Sequence, residues 1–202
     1  MNKNKTIPLA PAKYESEVSV EKAIFRRRSA RDYKAKPITF EALSQLLWSA
    51  QGITETVNKF RAAPSAGALY PLEIYVAVSK VYNLTCGVYK YVSLSHSLEV
   101  IKTQDVLLDI VEATYWQEWI AKSSIVIGFA ANMERTTRKY GTRGVQYVLF
   151  EVGHSSQNVY LQAFSLGLGT VAVGAFNDSK IHKVFGMLED EIPLYLMPVG
   201  VR

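Results

Sequence analysis

The longest helical pattern in the chain runs over residues 141–166, and it sets the scale of everything around it. Val145, Val148, Leu149, Val152, Val159, Leu161 and Phe164 recur at helical spacing. With little polar relief on its inner turns, this stretch predicts a central, largely buried helix. Gly167 follows it as a left-handed stop. A buried helix of that length needs one sizeable core. The chain has 202 residues, of which 49% are hydrophobic, and that is enough for one substantial domain and marginal for two.

The remaining elements fall on both sides of this helix. Residues 1–17 read as an extended arm, and residues 18–202 as a single domain. Residues 18–28 carry Val20, Ala23 and Ile24 at helical spacing with Ser19 as N-cap. Thr39 caps a second helix bearing Leu43, Leu46, Leu47 and Ala50 on one face, with Gly52 as its stop. Strands are expected over 72–79, 87–92, 97–101, 123–131, 171–176 and 194–200. The pair at 87–92 and 97–101 reads as a hairpin at the sheet edge. Helices are expected over 104–114, 133–140 and 179–185, the last capped by Asp178. Helices and strands alternate without a strict strand–helix–strand rhythm, which suggests an α+β sandwich and not a doubly wound sheet.

Composition narrows the function. The net charge of +5 suits a phosphorylated ligand or an anionic surface but is too small to argue for nucleic acid. A single cysteine, Cys86, excludes an intramolecular disulfide and a cysteine-rich metal site and fits a reducing compartment. Residues 1–11 are polar and lysine-bearing with no apolar core of a signal peptide, and no run of about 18 apolar residues exists. A cytoplasmic protein without membrane association is therefore expected. Walker A, HExxH and GxSxG patterns are missing.

Several stretches could carry chemistry. Arg26, Arg27, Arg28, Ser29 and Arg31 concentrate positive charge behind the first helix. Guanidinium groups match phosphate oxygens in two-point geometry, and the serine adds a donor. The same cluster also reads as a solvated helix C-terminus, where cations are favoured. Pro64, Ser65, Ala66, Gly67, Ala68, Leu69, Tyr70 and Pro71 form a loop of small residues between prolines. It suits close approach of a flat ligand, or an ordinary turn. Tyr115, Trp116 and Trp119 could close over a site, lie at an interface, or pack in the core.

Gly167-Leu168-Gly169-Thr170 evokes a dinucleotide fingerprint. It lies between a helix and a strand, whereas the fingerprint needs a glycine turn opening a helix, so that reading is rejected. Val173, Gly174 and Ala175 could instead offer bare backbone N–H groups to a ligand ring. His154, with Glu151 nearby on the long helix, reads as a packing residue or as an acid–base or metal group. Arg202 directly follows an apolar strand and could join the arginine cluster.

Taken in order, these stretches resemble the nitroreductase family of FMN flavoproteins, from about Val18 to Arg202. The likeness is nearest to the branch that includes the azoline oxidases of thiazole and oxazole peptide biosynthesis. It rests on Arg26-Arg27-Arg28-Ser29-Ala30-Arg31, Gln45-Leu46-Leu47-Trp48-Ser49-Ala50-Gln51-Gly52, Pro64 to Glu73, Lys139-Tyr140-Gly141-x-Arg143-Gly144, Glu151-x-Gly153-His154 and Gly167-Leu168-Gly169-Thr170. The resemblance implies a three-layer sandwich, with a mixed or antiparallel sheet flanked by helices, in an intertwined homodimer with FMN at the interface.

It further implies that Arg27, Arg28, Ser29, Arg31 and Arg202 hold the FMN phosphate and ribityl chain. Pro64, Ser65, Ala66, Gly67 and Leu69 would pack near the flavin from the partner chain, and Gly174 and Ala175 near its N5. Lys139 and Tyr140 match the pair taken to remove a proton in azoline oxidation. A lysine base needs burial or cationic neighbours, which Arg135, Arg138 and Arg143 could supply. The expected activity is hydride transfer through flavin N5. It would be either NAD(P)H-dependent reduction of nitro or quinone acceptors, or dehydrogenation of a small azoline-like heterocycle. A flavin-sequestering protein without turnover is the alternative. Partner proteins of peptide modification are implied by the branch, although this chain lacks the long N-terminal extensions common there. Ala68 and Tyr70 stand where nitroreductase-type loops carry Asn and Gln, so those flavin contacts are not implied.

Overall fold

The computed structural model describes residues 6–202; the first five residues of the expected arm lie outside the described residues. Seven strands form one sheet in the order β1-β4-β3-β2-β5-β7-β6. The strands are β1 (Thr6–Pro8), β2 (Leu72–Val78), β3 (Gly87–Val92), β4 (Ser97–Lys102), β5 (Ile125–Ala131), β6 (Leu168–Thr170) and β7 (Ile192–Val201). Every ladder between them is antiparallel. The helices are α1 (Val20–Arg26), α2 (Phe40–Gln51), α3 (Leu107–Ala113), α4 (Glu134–Tyr140), α5 (Arg143–Ser165) and α6 (Asp178–Phe185).

The sheet is the middle of three layers, because its central strands are apolar on both faces. Ile74, Val76, Ile127 and Phe129 point to one core, which α2 and α5 cover with Leu43, Leu46, Leu47, Val148, Val152 and Val159. Tyr75, Ala77, Val126 and Ala130 point to the other, which α3 and α6 cover with Ile110, Val111, Ile181 and Phe185. This is why β5 reads as an unbroken hydrophobic run and not as an alternation. The chain therefore has the expected α+β sandwich, with the sheet antiparallel throughout its ladders.

Local chemistry explains most element ends. The Ser19 hydroxyl accepts from the Lys22 N–H, and the Thr39 hydroxyl from the Ala42 N–H, capping α1 and α2. Gly167 has φ +70 after α5, as a left-handed stop requires.

Five expectations need correction. The hairpin β3–β4 is not the sheet edge, because β1 pairs outside β4, with Ile7 opposite Leu98. No strand forms over 171–176; that pairing capacity lies in Leu168–Thr170 instead, and downstream only Val173 bridges to Leu196. Asn177, not Asp178, caps α6, since the Asn177 side chain accepts from the Lys180 N–H.

The long helix is also less apolar inside than its stripe implied. Glu151, Ser155 and Ser156 are buried, whereas Val145, Leu149 and Phe150 are exposed. The Ser155 hydroxyl donates to the Ala50 carbonyl at 2.7 Å, so polar contacts to α2 replace apolar ones on that face. Finally, Tyr115 and Trp116 do not pack in the core: they are 66% and 69% exposed, and only Trp119 packs against it.

Candidate functional site

The segment after α1 and Arg202 meet on a pair of glycines. Gly169 in β6 stands opposite Gly200 in β7. A methyl group at Gly169 would fall 2.7 Å from Arg202 Cγ and 2.9 Å from the Ala30 methyl. One at Gly200 would fall 2.9 Å from the Tyr33 ring. Neither glycine has a positive φ; both are required by close approach. The segment after α1 thus lies in a saddle on the sheet. Hydrogen bonds fasten it there: Ala30 N–H to the Thr170 carbonyl at 2.9 Å, Lys34 N–H to the Val201 carbonyl at 2.8 Å, and Tyr33 Oη to the Ala30 and Pro198 carbonyls. Burial raises the Tyr33 pKa well above the ordinary phenol value, so this anchor stays a donor.

On that saddle Arg27 and Ser29 converge on Tyr160 of α5. The Arg27 guanidinium lies 5.2 Å from the ring centroid, and Ser29 Oγ is 3.2 Å from Tyr160 Oη. Tyr160 Oη in turn accepts from the Ala172 N–H at 2.7 Å. Arg28 turns Nη1 back to the carbonyls of Phe25 and Arg27, which is the helix-terminus role weighed for this cluster. Arg31 and Arg202 are exposed. Among the described residues no carboxylate pairs with Arg27, Arg28, Arg31 or Arg202. The arrangement brings an arginine-bearing segment and Arg202 to one place with no carboxylate partner among the described residues.

The small-residue loop gathers a second constellation. Gly67 has φ +62, inside a short 3-10 turn, Ala66–Ala68. A methyl there would fall 2.6 Å from Tyr140 Oη and 2.9 Å from Lys139 Nζ. The loop and the Lys-Tyr pair, far apart in sequence, are therefore neighbours in space, which spacing alone could not reveal. Lys139 is exposed. Its expected cationic surroundings are largely neutralised, because Arg135 pairs with Glu73 at 2.5 Å and Arg138 with Glu134 at 3.0 Å. Gly67→Ala is expected to cost about 1–2 kcal/mol of stability, from the left-handed backbone, and to push the Lys139 and Tyr140 side chains apart. Thermal unfolding checks the first effect and a crystal structure of the variant the second.

Behind the loop sits Glu151, 2% exposed. It accepts from Gln51 Nε2 at 3.3 Å and is hydrogen-bonded by the Ser65 hydroxyl. Ser65 Oγ also accepts from the Tyr70 N–H at 2.9 Å. Arg61 Nη1 donates to Gln51 Oε1 at 3.2 Å and its guanidinium lies 4.6 Å from the Tyr70 ring centroid. Burial pushes the Glu151 pKa up to about 7, against the lowering effects of Ser65, Gln51 and Arg61. Sequence reasoning paired Glu151 with His154. The structure separates them: His154 is on the exposed face of α5 whereas Glu151 is buried, so His154 is not a core packing residue, and among the described residues no group of His, Cys, Asp and Glu gathers as a metal site.

Gly174 and Ala175 follow the bridge at Val173 and are exposed. Among the described residues their N–H groups meet no acceptor. A methyl at Gly174 would lie 3.5 Å from Tyr195 Cε2, an ordinary contact, so nothing within the chain itself demands glycine there. Among the described residues no helix is long and apolar enough to cross a membrane.

The chain belongs to the nitroreductase family, whose profile matches residues 24–201. It is 49% identical over 184 residues to a Methanocaldococcus jannaschii protein named as a nitroreductase, covering 91% of each chain. It superposes with a TM-score of 0.85 on a Ralstonia eutropha protein, also named as a nitroreductase, at 25% identity, covering 97% of this chain and 89% of that one. A more distant likeness is to the microcin B17-processing protein McbC of Escherichia coli. It is 27% over 157 residues, spanning 74% of this chain and 57% of the relative. The chain is thus a nitroreductase-family oxidoreductase, with distant similarity to peptide-processing proteins of the azoline oxidase type.

Proposed function

We propose that the chain is an FMN-dependent oxidoreductase acting as a homodimer. The observation that carries this reading is that the segment after α1, with Arg27, Ser29 and Arg31, and the side chain of Arg202 come together at the Gly169–Gly200 saddle without a carboxylate partner among the described residues. The residues fit the cofactor. Arg27, Arg31 and Arg202, with Ser29 as a hydroxyl donor and Arg28 alongside, suit a phosphate and ribityl tail. The acceptor-free N–H groups of Gly174 and Ala175, with room above Gly174, suit the edge of a flavin ring. Pro64, Ser65, Ala66, Gly67 and Leu69 suit its face.

Bound FMN supplies hydride exchange at N5 of its ring. The protein holds the tail by charge, keeps bare donors at the ring edge, and places Lys139 Nζ and Tyr140 Oη together at Gly67; Lys139 is exposed in the single chain, so the burial that a lysine base needs would come from the partner chain and the bound substrate. A proton-handling pair beside the small-residue loop favours dehydrogenation of a small azoline-like heterocycle. Reduction of nitro or quinone acceptors by NAD(P)H needs no such pair and uses the same ring site.

The homodimer rests on an unpartnered apolar face. Val145, Leu149 and Phe150 are exposed along α5. Gly153 lies on the same helix with nothing within 4 Å of an added methyl, although glycine costs about 1 kcal/mol inside a helix. Val20, Ile24 and Phe25 of α1, which packs against α5, are exposed as well. A second copy would cover this surface.

The test begins with the purified protein, which should be yellow and carry FMN. Anaerobic NADH or NADPH should bleach it. Tight FMN with no oxidation of nicotinamide by any acceptor would point to flavin sequestration; colourless protein that refuses added FMN would remove the reading. Lys139→Ala should bleach at the wild-type rate yet lose about 100-fold or more of any azoline-type oxidation, the scale of a lost general base. Equal loss in both assays would take Lys139 out of proton transfer.

A further inference from the structure

α4 is tied to the end of the small-residue loop at its first turn and meets the loop again at its last. The Asn132 N–H donates to the Pro71 carbonyl at 3.0 Å, and Asn132 Oδ1 accepts from the Arg135 N–H at 3.2 Å. Arg135 reaches back with both arms of its guanidinium. Nη1 donates to the Tyr70 carbonyl at 3.2 Å, and Nη2 pairs with Glu73 at 2.5 Å. Lys139 stands at the i+4 position from Arg135, so the two share one face of the helix. Any displacement of Arg135 is therefore carried to Lys139 and its neighbour Tyr140, which meet Gly67.

The helix itself has little means of holding that alignment. At seven residues it is too short to be stable alone. It leans on α5, where Tyr140 packs edge-on against Tyr147 at 5.1 Å. Its one buried residue, Thr136, has a hydroxyl without a hydrogen-bond partner. Among the described residues, the hydrogen-bonded side-chain ties from α4 to the loop and β2 are those of Arg135.

Glu73 is fixed from inside the fold. Its side chain is 16% exposed and also pairs with Lys90 at 3.0 Å. Lys90 pairs in turn with Glu191 at 2.6 Å. The buried Glu191 carboxylate accepts from Tyr75 Oη at 2.6 Å and from the Leu188 N–H at 3.0 Å. Burial alone would lower the Lys90 pKa, but hydrogen bonds and charge from Glu191 and Glu73 hold it above the ordinary lysine value. Charge thus alternates along Glu191, Lys90, Glu73 and Arg135, from a buried carboxylate out to α4. Desolvation offsets much of the attraction in such a row, which suits it to fixing register more than to adding stability.

Resting on the proton-handling role proposed above for Lys139 and Tyr140, we infer that Glu73 and Arg135 are positioning residues for that pair. Their ion pair, set from within by Lys90 and Glu191, holds α4 so that Lys139 Nζ and Tyr140 Oη stay at Gly67. Neither residue needs to touch substrate to do this.

The experiment places fluorotyrosine at Tyr140 in the full chain and compares its fluorine NMR signal in the parent, Arg135→Ala, Glu73→Gln and Glu134→Gln, all in the same FMN state. Glu134→Gln breaks the exposed Glu134–Arg138 pair on the same helix and is the control. Circular dichroism checks folding; Arg135 is partly exposed, so its variant decides the matter even where Glu73→Gln unfolds. The expected result is a signal shifted in the same direction by Arg135→Ala and Glu73→Gln, and unshifted in the control. An unshifted signal in Arg135→Ala overturns the proposal. So do shifts of opposite sign in the two variants, which would report lost charge and no movement.

Oxidation of an aryl thiazoline, with dioxygen as final acceptor, reads the consequence. In Arg135→Ala kcat should fall about 10- to 100-fold, the scale of a misplaced reacting group, with KM within about twofold. In the Lys139→Ala background the same substitution should cost less than about twofold more, because the group it positions is gone. An equal loss in both backgrounds overturns a role through Lys139. Wild-type protein that holds FMN and leaves the thiazoline untouched fails at the functional reading, while the fluorine signals still decide whether Glu73 and Arg135 place the pair.

Discussion

Replacing Arg27 and Arg31 together by alanine is expected to yield a folded but colourless protein. Each guanidinium would make a charge-assisted hydrogen bond to the FMN phosphate worth about 1.5–3 kcal/mol. Losing two weakens FMN by roughly 100- to 10,000-fold at about 1.4 kcal/mol per decade. The fold should survive. Arg31 is exposed and makes no ion pair, and the Arg27 contact is with the face of Tyr160 alone. The segment's anchoring runs through backbone bonds and Tyr33, which the double variant keeps.

Arg26→Ala is the matched control. The Arg26 guanidinium lies 5.3 Å from the Phe25 ring centroid and takes part in none of the contacts described at the saddle, so that variant should stay yellow. Circular dichroism checks folding, and FMN titration by fluorescence quenching gives the Kd. Full FMN retention by the double variant would count against the phosphate clamp.

Much of this architecture was legible in the sequence where a local rule decides it. Ser19 and Thr39 were readable as caps because a hydroxyl three residues before a free N–H has one good use. β5 was readable because a strand buried on both faces leaves no polar positions. The misreadings come from long-range pairing. Residues 171–176 look like a strand by composition, yet Leu168–Thr170 occupies the available edge of β7. The inner face of α5 was mistaken because Ser155 and Glu151 satisfy themselves on α2 and on the loop, partners invisible to a helical-period count.

The site divides in the same way. The arginine cluster and the small-residue loop announce themselves by residue type. That Gly67 abuts Lys139 and Tyr140, or that Gly169 and Gly200 seat Ala30, Arg202 and Tyr33, depends on the register of β6 with β7 and on where α4 comes to lie against the loop. The family resemblance supplied the expectation that these stretches belong together; the close approaches supply the physical reason.

A pH titration of stability should expose Glu151 as a residue kept against the interest of the fold. Its pKa rises from 4.5 to about 7 because burial disfavours the carboxylate more than Ser65, Gln51 and Arg61 favour it. The folded state therefore holds this proton more tightly than the unfolded chain. Between about pH 4.5 and pH 7 the folded form binds more protons, so this group's contribution to stability falls as pH rises. Below that window the contribution is neutral, and above it the penalty is constant, on the order of 3 kcal/mol.

Glu151→Gln removes the titration and keeps the shape. Denaturant unfolding of both proteins, in the same FMN state, should show near-equal stability at pH 4.5 and a variant more stable by about 1–3 kcal/mol at pH 8. Taking the difference cancels Glu21 and Glu55, whose pKa values are lowered and whose slopes run the other way in both proteins. A difference that does not vary with pH would mean that Glu151 has the same pKa in the folded and the unfolded chain. A penalty of that size, tolerated at a position touching Ser65 and Gln51, implies that the carboxyl is retained for where it holds the small-residue loop relative to α2. Its removal should accordingly be felt at Gly67 and the Lys-Tyr pair before it is felt in the core.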